Sequence, residues 1–320
     1  MSNKLQRFKT TKYYGVTLLL LITVVVWLFF KILAPGNFGT GTLMAGYLQT
    51  SIQYAVGGCG FYFIVVMGLF DFSVGANVVL SALLGVLLSR SWGLPGLVLG
   101  CLISGILIGA FNGSLYTFLK IPSMIVTVGL MLILESVANY VINIDPSPNP
   151  GKLPSDLLIL NRAPWNYIVA FAAFFLMSFI LHYTKIGTYI NAIGSNETVA
   201  KMMGTNVRKY KFLGFVFLHF FVGIMALLTV SYGSGMLAVT GMASMERNFR
   251  PLMGTFFGVA FKKYNVPVLA IVIGEFIVTL IFNGLVSLNV PTTINSFATG
   301  AVLLAIVTLT NRGKQGSVVK

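Results

Sequence analysis

Acidic residues are nearly missing from this 320-residue chain, which has seven Asp and Glu against 21 Lys and Arg. Charged residues of both signs make up only 9% of the sequence, whereas 57% is hydrophobic. Soluble domains carry about 25% charged residues, so this chain has too few to cover a surface in water. The sequence therefore predicts a protein that lies in a lipid bilayer, where each helical crossing needs about 20 apolar residues.

Residue types that build catalytic and metal centres are also scarce. Cys59 and Cys101 are the only cysteines, and because both lie in apolar runs we interpret them as small buried side chains. His182 and His219 are the only histidines, and each is interpreted as a packing or interface residue near a helix end. No phosphate-binding G-x-x-x-x-G-K-[ST] motif and no nucleophile–base arrangement occurs. The chain is therefore predicted to be no enzyme and to hold no cofactor or metal.

Apolar runs follow one another along the chain, most of them long enough to cross a bilayer as a helix. The ten runs are 14–33, 46–69, 73–89, 94–118, 122–143, 166–183, 209–232, 250–261, 266–287 and 292–310. They predict an all-α polytopic membrane protein with about ten transmembrane helices in a single domain, 1–320. Residues 4–30 resemble a signal peptide, but the run ends in bulky residues and Lys31, so we expect it to remain as the first crossing.

The basic residues predict the orientation of the chain. With the N-terminus inside the cell, 15 of the 21 Lys and Arg fall on the inner side. These are Lys4, Arg7, Lys9, Lys12, Lys120, Lys185, Lys201, Arg208, Lys209, Lys211, Lys262, Lys263, Arg312, Lys314 and Lys320. Such a bias is typical of cytoplasmic loops, so both termini are predicted to be cytoplasmic, in a bacterial-type inner membrane. The net charge of +14 then reflects orientation, and no nucleic-acid partner is expected.

The longest predicted outer segment, 144–165, is rich in proline. It contains Pro146, Pro148, Pro150, Pro154 and Pro164, too many for an α-helix. The segment is therefore predicted to be a loop that faces outward. It is either a contact surface for an extracytoplasmic partner or a plain connector, and the residues alone do not decide between the two.

One short polar stretch, GSNETVAKMMGTNVRKYK, lies between the sixth and seventh crossings on the predicted inner side. Ser195 or Asn196 can cap a helix whose first turn is favoured by Glu197. Gly204 can end this helix, which is predicted over 195–204. It is either a simple amphipathic helix on the membrane surface or a knob that docks into a soluble protein. In the docking interpretation the contacts come from Asn196, Glu197, Val199, Lys201, Met202 and Met203.

This stretch, extended to 186–207, resembles the cytoplasmic coupling segment of permease subunits in ribose-type monosaccharide ABC importers, a family of binding-protein-dependent inner membrane components. The matching residues are Gly187, Ala192, Gly194, Asn196, Ala200, Gly204 and Val207. The stretches GLFDFSVGA (68–76), GAFNGSLYTFLKIPSMIVTVGLM (109–131) and FNGLVSLNVP (282–291) also resemble patterns of this family. The resemblance extends from about residue 50 to residue 310.

The resemblance implies an ABC importer permease fold with broken helices and one cytoplasmic coupling helix. It implies that the chain forms half of a pore for a monosaccharide or related polar solute. The implied partners are a separate ATP-binding subunit, a second permease chain (the same or a paralogue), an extracytoplasmic solute-binding protein and membrane lipid. The implied contacts with the ATPase are Asn196, Glu197, Val199, Ala200, Lys201, Met203 and Gly204.

Polar and neighbouring residues within the apolar runs are the candidates for the translocation pathway. They are Asp71, Phe72, Ser73, Gly75, Asn112, Thr127 and Asn283. Asp71 interrupts two crossings, and either it or Ser73 can cap the second of them. Structural roles compete with solute contact at each position: a capping carboxylate at Asp71, and helix packing at Asn112 and Asn283.

The chain departs from the family pattern in 244–267, which lacks a Gly-rich turn. Glu135 stands where many relatives carry arginine, and Glu275 lies in an otherwise apolar crossing. Charges within a bilayer usually face a pathway or a partner charge. Our hypothesis is that one of these carboxylates pairs with Arg247 or Arg250, within the chain or across a dimer. The alternative is that Glu246, Arg247 and Arg250 lie in outer water. These departures favour pairing with a different permease chain, as a heterodimer.

Other functions fit parts of the sequence. A proton-coupled secondary transporter would use Asp71, Glu135 and Glu275 as titrating groups. An ABC permease for nucleosides or branched-chain amino acids is a second alternative, since these permeases are related to the sugar permeases. A receptor or scaffold that transports nothing is a third, but it would need fewer membrane crossings than this chain is predicted to have. The helix on the inner face favours the ABC permease. The solute is not identified by the sequence, so a pentose, a hexose, a furanosyl signalling molecule and a nucleoside are all open.

Overall fold

The computed structural model describes residues 12–233, 235–290, 297, 299–305 and 308. Its α-helices are α1 (Lys12–Leu33), α2 (Gly41–Val65), α3 (Val74–Leu119), α4 (Ser123–Ile144), α5 (Trp165–Tyr183), α6 (Lys185–Ser195), α7 (Glu197–Met202), α8 (Val207–Tyr232), α9 (Phe249–Ala260) and α10 (Pro267–Ser287). Short 3-10 helices cover Ser155–Asn161, Ala243–Asn248 and Phe261–Tyr264. Within the described ranges the only β-pairing is an isolated bridge, so the predicted all-α fold is confirmed.

Six of these helices are long and apolar enough to cross a membrane. They are α1, α3, α4, α5, α8 and α10. The α3 helix has 46 residues, more than twice the ~20 that one membrane crossing needs. It reverses direction at Gly93, where φ is 58° and ψ is −140°. The two halves of α3 pack closely on each other. A Cβ added at Gly85 in the first half would lie only 2.5 Å from the sulfur of Cys101 in the second half. The two crossings predicted over 73–89 and 94–118 are therefore confirmed as a tight helical hairpin.

Two predicted crossings need comment. The run 250–261 forms α9, whose 12 residues span about 18 Å at ~1.5 Å per residue, well short of a hydrocarbon core of ~30 Å. The crossing predicted over 250–261 is therefore a helix too short to span a bilayer core by itself. The tenth run, 292–310, lies largely outside the described residues. So do six of the basic residues used for orientation: Lys4, Arg7, Lys9, Arg312, Lys314 and Lys320.

The described residues form two compact units, one of which comprises those up to Gly58 and those from Phe249 onward. In this unit α1 packs on α10, where Phe30 lies directly against Gly284 and Leu280 joins the same apolar cluster. The α9 and α10 helices approach closely at glycines of both helices, including Gly258 and Gly274. Small residues allow such close contact in lipid, where apolar burial by itself gives little drive for helix association.

The second unit, Cys59–Asn248, is organised around the contact of α3 with α8. Three glycines, one turn apart on the second half of α3, face the α8 backbone: Gly105, Gly109 and Gly113. A Cβ at Gly105 would lie 2.5 Å from the carbonyl oxygen of His219, and one at Gly113 would lie 3.1 Å from that of Phe212. The two helices therefore touch backbone to backbone along this stripe.

Replacing Gly105 by alanine is expected to destabilise the protein by about 1–3 kcal/mol, since the methyl group has no space beside α8. The matched control is Gly129→Ala on α4, where an added Cβ meets nothing within 4 Å. That change is expected to be neutral or stabilising by up to about 1 kcal/mol, because alanine is the better helix former. Thermal unfolding of the detergent-purified protein measures both. Equal stability of the two variants would contradict the close contact.

Candidate functional site

The loop between α2 and α3, residues 66–73, brings several of the predicted pathway residues together. Its backbone is tied to α4 by two hydroxyl groups. The Phe70 N–H donates to Ser123 Oγ (3.1 Å) and the Phe72 N–H donates to Thr127 Oγ1 (3.0 Å). In a membrane a broken helix is tolerated only where protein satisfies its polar backbone groups. Thr127 therefore supports the break between the two helices.

Asp71 lies in this break, and its side chain is completely buried. One carboxylate oxygen accepts the Ser73 N–H (2.7 Å) and the Ser73 hydroxyl (2.6 Å). The other oxygen accepts from Asn112 Nδ2 (2.6 Å) and lies 2.9 Å from His219 Nε2. Of the two predicted caps, Asp71 binds a backbone N–H at the start of α3, whereas the Ser73 side chain caps no helix N–H.

His219 has hydrogen-bonding neighbours at both ring nitrogens. Nε2 faces the Asp71 carboxylate, and Nδ1 lies 2.6 Å from Asn77 Nδ2. Asn112 Nδ2 also lies 3.1 Å from Nε2. Hydrogen bonds to both Asp71 and Asn77 require the proton on Nε2 and an acceptor at Nδ1. The Asn77 amide oxygen in turn accepts from the Ser81 hydroxyl (2.6 Å). These side chains are all buried and linked in one network.

This network joins the break at Asp71 to both halves of α3 and to the middle of α8. The sequence does not reveal this network: it suggests a packing or interface histidine near a helix end, whereas His219 is buried in the middle of α8 with partners at both ring nitrogens. The available signal was a histidine within an apolar run, where both ring nitrogens need partners. Its partners Asn77 and Asp71 lie 142 and 148 positions away in the chain, so no local pattern identifies them.

Asn248 closes the break from the 3-10 helix Ala243–Asn248. Its amide oxygen accepts the Gly75 N–H (2.6 Å), and its amide nitrogen donates to the Phe72 carbonyl (2.7 Å). A Cβ at Gly75 would collide with the carbonyl oxygen of Ser244, so a glycine is required for this close approach. Asn248 was not predicted as a site residue, because it lies in the stretch that departs from the family pattern.

Glu135 is buried and holds a loop through its carboxylate. Its two oxygens accept the backbone N–H groups of Met242 and Ser244, each at 2.9 Å. In the described part of the chain no arginine forms an ion pair with Glu135. The structure therefore gives this carboxylate backbone partners within its own chain, where our hypothesis expected Arg247 or Arg250.

Glu275 and Arg250 belong to the first unit. The Arg250 guanidinium lies over the rings of Tyr54 (5.0 Å) and Phe282 (4.6 Å), an arrangement typical of cation–π contacts. The Glu275 side chain is completely buried, and neither oxygen has a direct hydrogen-bond partner in the described residues. Arg250 and Glu275 form no direct ion pair there. The backbone of Gly254 and the Arg250 guanidinium nevertheless lie close enough to stabilise this carboxylate.

The other predicted pathway residues differ in exposure. Ser73, Asn112 and Thr127 are buried, while Phe72 keeps partial exposure. Asn283 is also half-buried, but it lies in the first unit, where its amide donates to the Thr279 carbonyl within α10. The structure thus brings together the predicted residues around Asp71 and leaves Asn283 out of that cluster.

The predicted inner-face helix is present as α7, which is shorter than expected. Asn196 caps it, with its side-chain oxygen accepting the Val199 N–H at 3.1 Å, and Gly204 follows it with a φ of 81°. Met202 and Met203 are 80% and 82% exposed, whereas Ala200 is buried. A short helix that presents two fully accessible methionines is a surface suited to an apolar pocket of another protein.

The segment that precedes α7 in the chain packs against the loop that forms the break between α2 and α3. A Cβ at Gly194, near the end of α6, would collide with the carbonyl oxygen of Val66, the first residue after α2. The side chain of Met67 likewise lies against Gly214 of α8. The residues flanking α7 therefore contact the start of the 66–73 loop on both sides.

The predicted outer loop is folded onto the second unit by a buried carboxylate. Asp145 accepts from Arg90 (3.2 Å) and from the Gly151 N–H (2.9 Å), and the loop contains the 3-10 helix Ser155–Asn161. Burial tends to raise the pKa of Asp145, but the N–H groups of Gly151 and Ser147 and the Arg90 guanidinium outweigh it. The pKa of this carboxyl group is therefore lowered.

This anchor predicts an acid-sensitive loop. Because the folded-state pKa of Asp145 is lowered, its stabilising effect is present above the ordinary value of about 3.9 and is lost as the pH falls through the folded pKa. Limited proteolysis is expected to cut 146–154 increasingly below about pH 4. Asp145→Asn should be cut at neutral pH already, with little further change in acid. A cleavage profile shared by both proteins would contradict this role for Asp145.

The comparisons with known proteins agree with this geometry. A family model described as "Branched-chain amino acid transport system / permease component" matches residues 43–307. The Autoinducer 2 import system permease protein LsrC of Photorhabdus luminescens is 28% identical over 281 residues, covering 85% of this chain and 82% of that protein. LsrC of Shigella flexneri is 26% identical over 250 residues, covering 76% and 71%. No solved structure matches the chain significantly.

The family match extends over most of the chain and includes the 66–73 break, the α3–α8 contact and α7. It confirms the resemblance to ABC importer permeases predicted from the four sequence stretches. Such components are membrane subunits and are not enzymes in themselves. The chain therefore belongs to this family of permease components and is a multi-pass inner membrane subunit of an ABC importer.

Proposed function

We propose that this chain forms half of the pathway for a monosaccharide-like polar solute and is driven by a separate ATPase that docks on α7. The observation that carries the proposal is the position of α7. It exposes Met202 and Met203, while the adjoining Gly194 packs against Val66 at the start of the break in the membrane helices.

A movement of α7 can be transmitted to the 66–73 break through two sets of contacts. The first is the contact between Gly194 and Val66. The second runs through α8, which follows α7 in the chain and carries His219, the neighbour of Asp71 in the buried network. Both routes are packed contacts or hydrogen bonds, which is the kind of element that transmits a two-state change.

The proposed roles of individual residues follow from this arrangement. The ATPase contact consists of Asn196, Glu197, Val199, Ala200, Lys201, Met203 and Gly204, in which Ala200 acts by packing α7 onto its own chain. Phe72 is proposed to meet the solute, because it lies in the break and is only half-buried. Asp71, Ser73, Gly75, Asn112 and Thr127 are proposed to position it, and Asn283 to lie on the pathway in the first unit.

For the solute, we propose a small furanosyl or similar monosaccharide-like molecule. The curated relatives are named autoinducer 2 import permeases, which supports a sugar-like solute over a branched-chain amino acid. Uptake assays with labelled autoinducer 2, ribose and leucine separate these classes. Uptake of leucine alone would contradict the proposal.

The second permease is proposed to be a paralogous chain. Glu275 is buried without a direct ion-pair or hydrogen-bond partner in the described residues, and the nearby Arg250 guanidinium attracts it but lies over two aromatic rings. These charges support the proposal that pairing is completed by a different chain. Purification of this chain with its ATPase alone tests it, and a stable, active complex with two copies of this chain would refute the heterodimer.

We further propose that the chain acts as a single permease domain, 1–320, with both termini in the cytoplasm. The basic residues that adjoin α7, among them Lys201, Arg208 and Lys211, support this orientation. The proline-containing outer loop then faces the solute-binding protein. Reporter fusions at each end of the chain test the orientation, and a periplasmic signal from either end would contradict it.

Reconstituted vesicles provide the deciding test of the function. With the ATPase, the second permease and the loaded binding protein, uptake is expected to require ATP hydrolysis and to be indifferent to a pH gradient. Uptake driven by a pH gradient without ATP would instead favour a secondary transporter that titrates Asp71, Glu135 and Glu275.

A further inference from the structure

A cavity of about 670 Å³ lies in the second unit, beside α7. It is bounded by the end of α3, the α3–α4 connection, α7 and the start of α8. Its size is within the range of about 300–1,000 Å³ that is usual for small-ligand sites. None of the pathway residues around Asp71 lines it, so it is distinct from that cluster, although it shares Glu197 and Lys201 with the α7 surface.

Four basic side chains line this cavity, together with one acidic side chain. The basic residues are Lys120, Lys201, Arg208 and Lys211, and the acidic one is Glu197. Glu197 is already paired, because Lys211 Nζ lies 2.9 Å from both of its oxygens. In the described chain, the three other cations form no ion pair with a carboxylate. The side chains that line the cavity therefore carry a net charge of +3 once Glu197 is counted, and no second carboxylate in the lining balances this charge.

The cations come from three separate elements, unlike a simple run of basic residues in a loop. Lys120 follows α3, Lys201 lies on α7 and Arg208 lies in the first turn of α8. Lys120 also has a φ of 57°, in the left-handed region that costs a non-glycine residue about 1–2 kcal/mol. This conformation ends α3, since the Lys120 N–H donates to the Tyr116 carbonyl, and it fixes the backbone position of Lys120 beside the cavity.

Exposed apolar side chains occur close in the chain to residues that line the cavity, at the end of α3 and the start of α4. Phe118 is 75% exposed, Ile121 is 39% exposed and Ile125 is 62% exposed. Ile121 itself lines the cavity. A ligand with an anionic head and hydrocarbon chains matches this combination of a basic cavity and an adjoining apolar surface. Basic pockets between membrane helices on the cytoplasmic side bind acidic lipid head groups.

We propose that this cavity binds the head group of an anionic phospholipid, with the phosphate between Lys120, Lys201 and Arg208 and the acyl chains along Phe118, Ile121 and Ile125. Bound lipid would contact α7 through Lys201 and hold this helix at the membrane surface. The inference goes beyond the transport function and does not depend on which solute is carried.

Lipid binding to the isolated chain tests the proposal without ATPase, binding protein or solute, so its outcome is independent of the transport function. Native mass spectrometry in detergent compares phosphatidylglycerol, phosphatidylcholine and inorganic phosphate as ligands. We expect phosphatidylglycerol to bind preferentially. Removing two cations with Lys120→Gln and Arg208→Gln should weaken it about thirtyfold, on the basis of the usual contribution of a basic residue near an acidic lipid surface.

The matched control is Lys185→Gln with Lys209→Gln, which removes the same charge from exposed residues that do not line the cavity. Affinity for phosphatidylglycerol in this control should be unchanged. Lys201→Gln alone changes only one exposed side chain and serves as a second variant if the double variant does not fold. Equal weakening in the control, absence of a preference over phosphatidylcholine, or inorganic phosphate binding as tightly as the lipid would each overturn the proposal.

Discussion

Replacing Asp71 by alanine will abolish solute uptake and will strongly destabilise the protein. The change leaves the N–H of Ser73, the amide of Asn112 and Nε2 of His219 without their common acceptor, in a site with no access to solvent. Removing one partner from a buried charged network typically costs about 3–5 kcal/mol. The break between α2 and α3 would then lose the group that fixes it to α8.

Uptake into vesicles and thermal unfolding together test this prediction. Ser81→Ala is the matched control, because it removes only the hydroxyl group at the far end of the same network. Loss of that hydrogen bond should cost about 1 kcal/mol and leave uptake near its normal rate. If Asp71→Ala unfolds at the same temperature as the unchanged protein and still transports, the network has neither a structural nor a functional role.

Replacing Met203 by glutamate will separate the permease from its ATPase while leaving the permease folded. Met203 is 82% exposed, so the isolated chain loses no packing when the residue changes. In the proposed complex, the same position would bury an unpaired carboxylate in an apolar pocket. A central interface residue is worth at least about 2 kcal/mol, which corresponds to a loss of at least about thirtyfold in ATPase affinity.

Co-purification and surface plasmon resonance with the ATPase measure this loss. Thr188→Glu on α6 introduces the same charge at another exposed position and serves as the control. Its affinity for the ATPase should match that of the unchanged chain, and both variants should unfold at the usual temperature. Normal ATPase binding by Met203→Glu would remove α7 as the docking element and with it the proposed route of coupling.

Local patterns predict most of the helices and the position of the break, although the crossing expected over 250–261 is only a short helix. Long apolar runs predict crossings, and the interval between the runs 73–89 and 94–118 coincides with the reversal of α3 at Gly93. The interruption at Asp71 is predicted because Asp71 or Ser73 can cap the following helix. A cap at Ser195 or Asn196 is predicted for the same local reason, and the structure shows that Asn196 is the one whose side chain binds an N–H three residues ahead.

Partners distant in the chain were not predictable in this way. The neighbours of His219 and the double hydrogen bond of Asn248 depend on how α3, α8 and the 3-10 helix Ala243–Asn248 pack in three dimensions. Glu135 illustrates the same limit. Its charge suggested an arginine, but two backbone N–H groups satisfy the carboxylate equally well, and no sequence pattern records that choice.

The glycine stripe on α3 has a consequence for how the permease changes shape. Where main chain rests on main chain, there are no side-chain rotamers to rearrange, so the second half of α3 and α8 should travel as a rigid pair. Any bending during a transport cycle would then concentrate at the ends of this pair, in the 120–122 and 204–206 connections. Those two short connections would be the hinges, and stiffening either one should slow turnover.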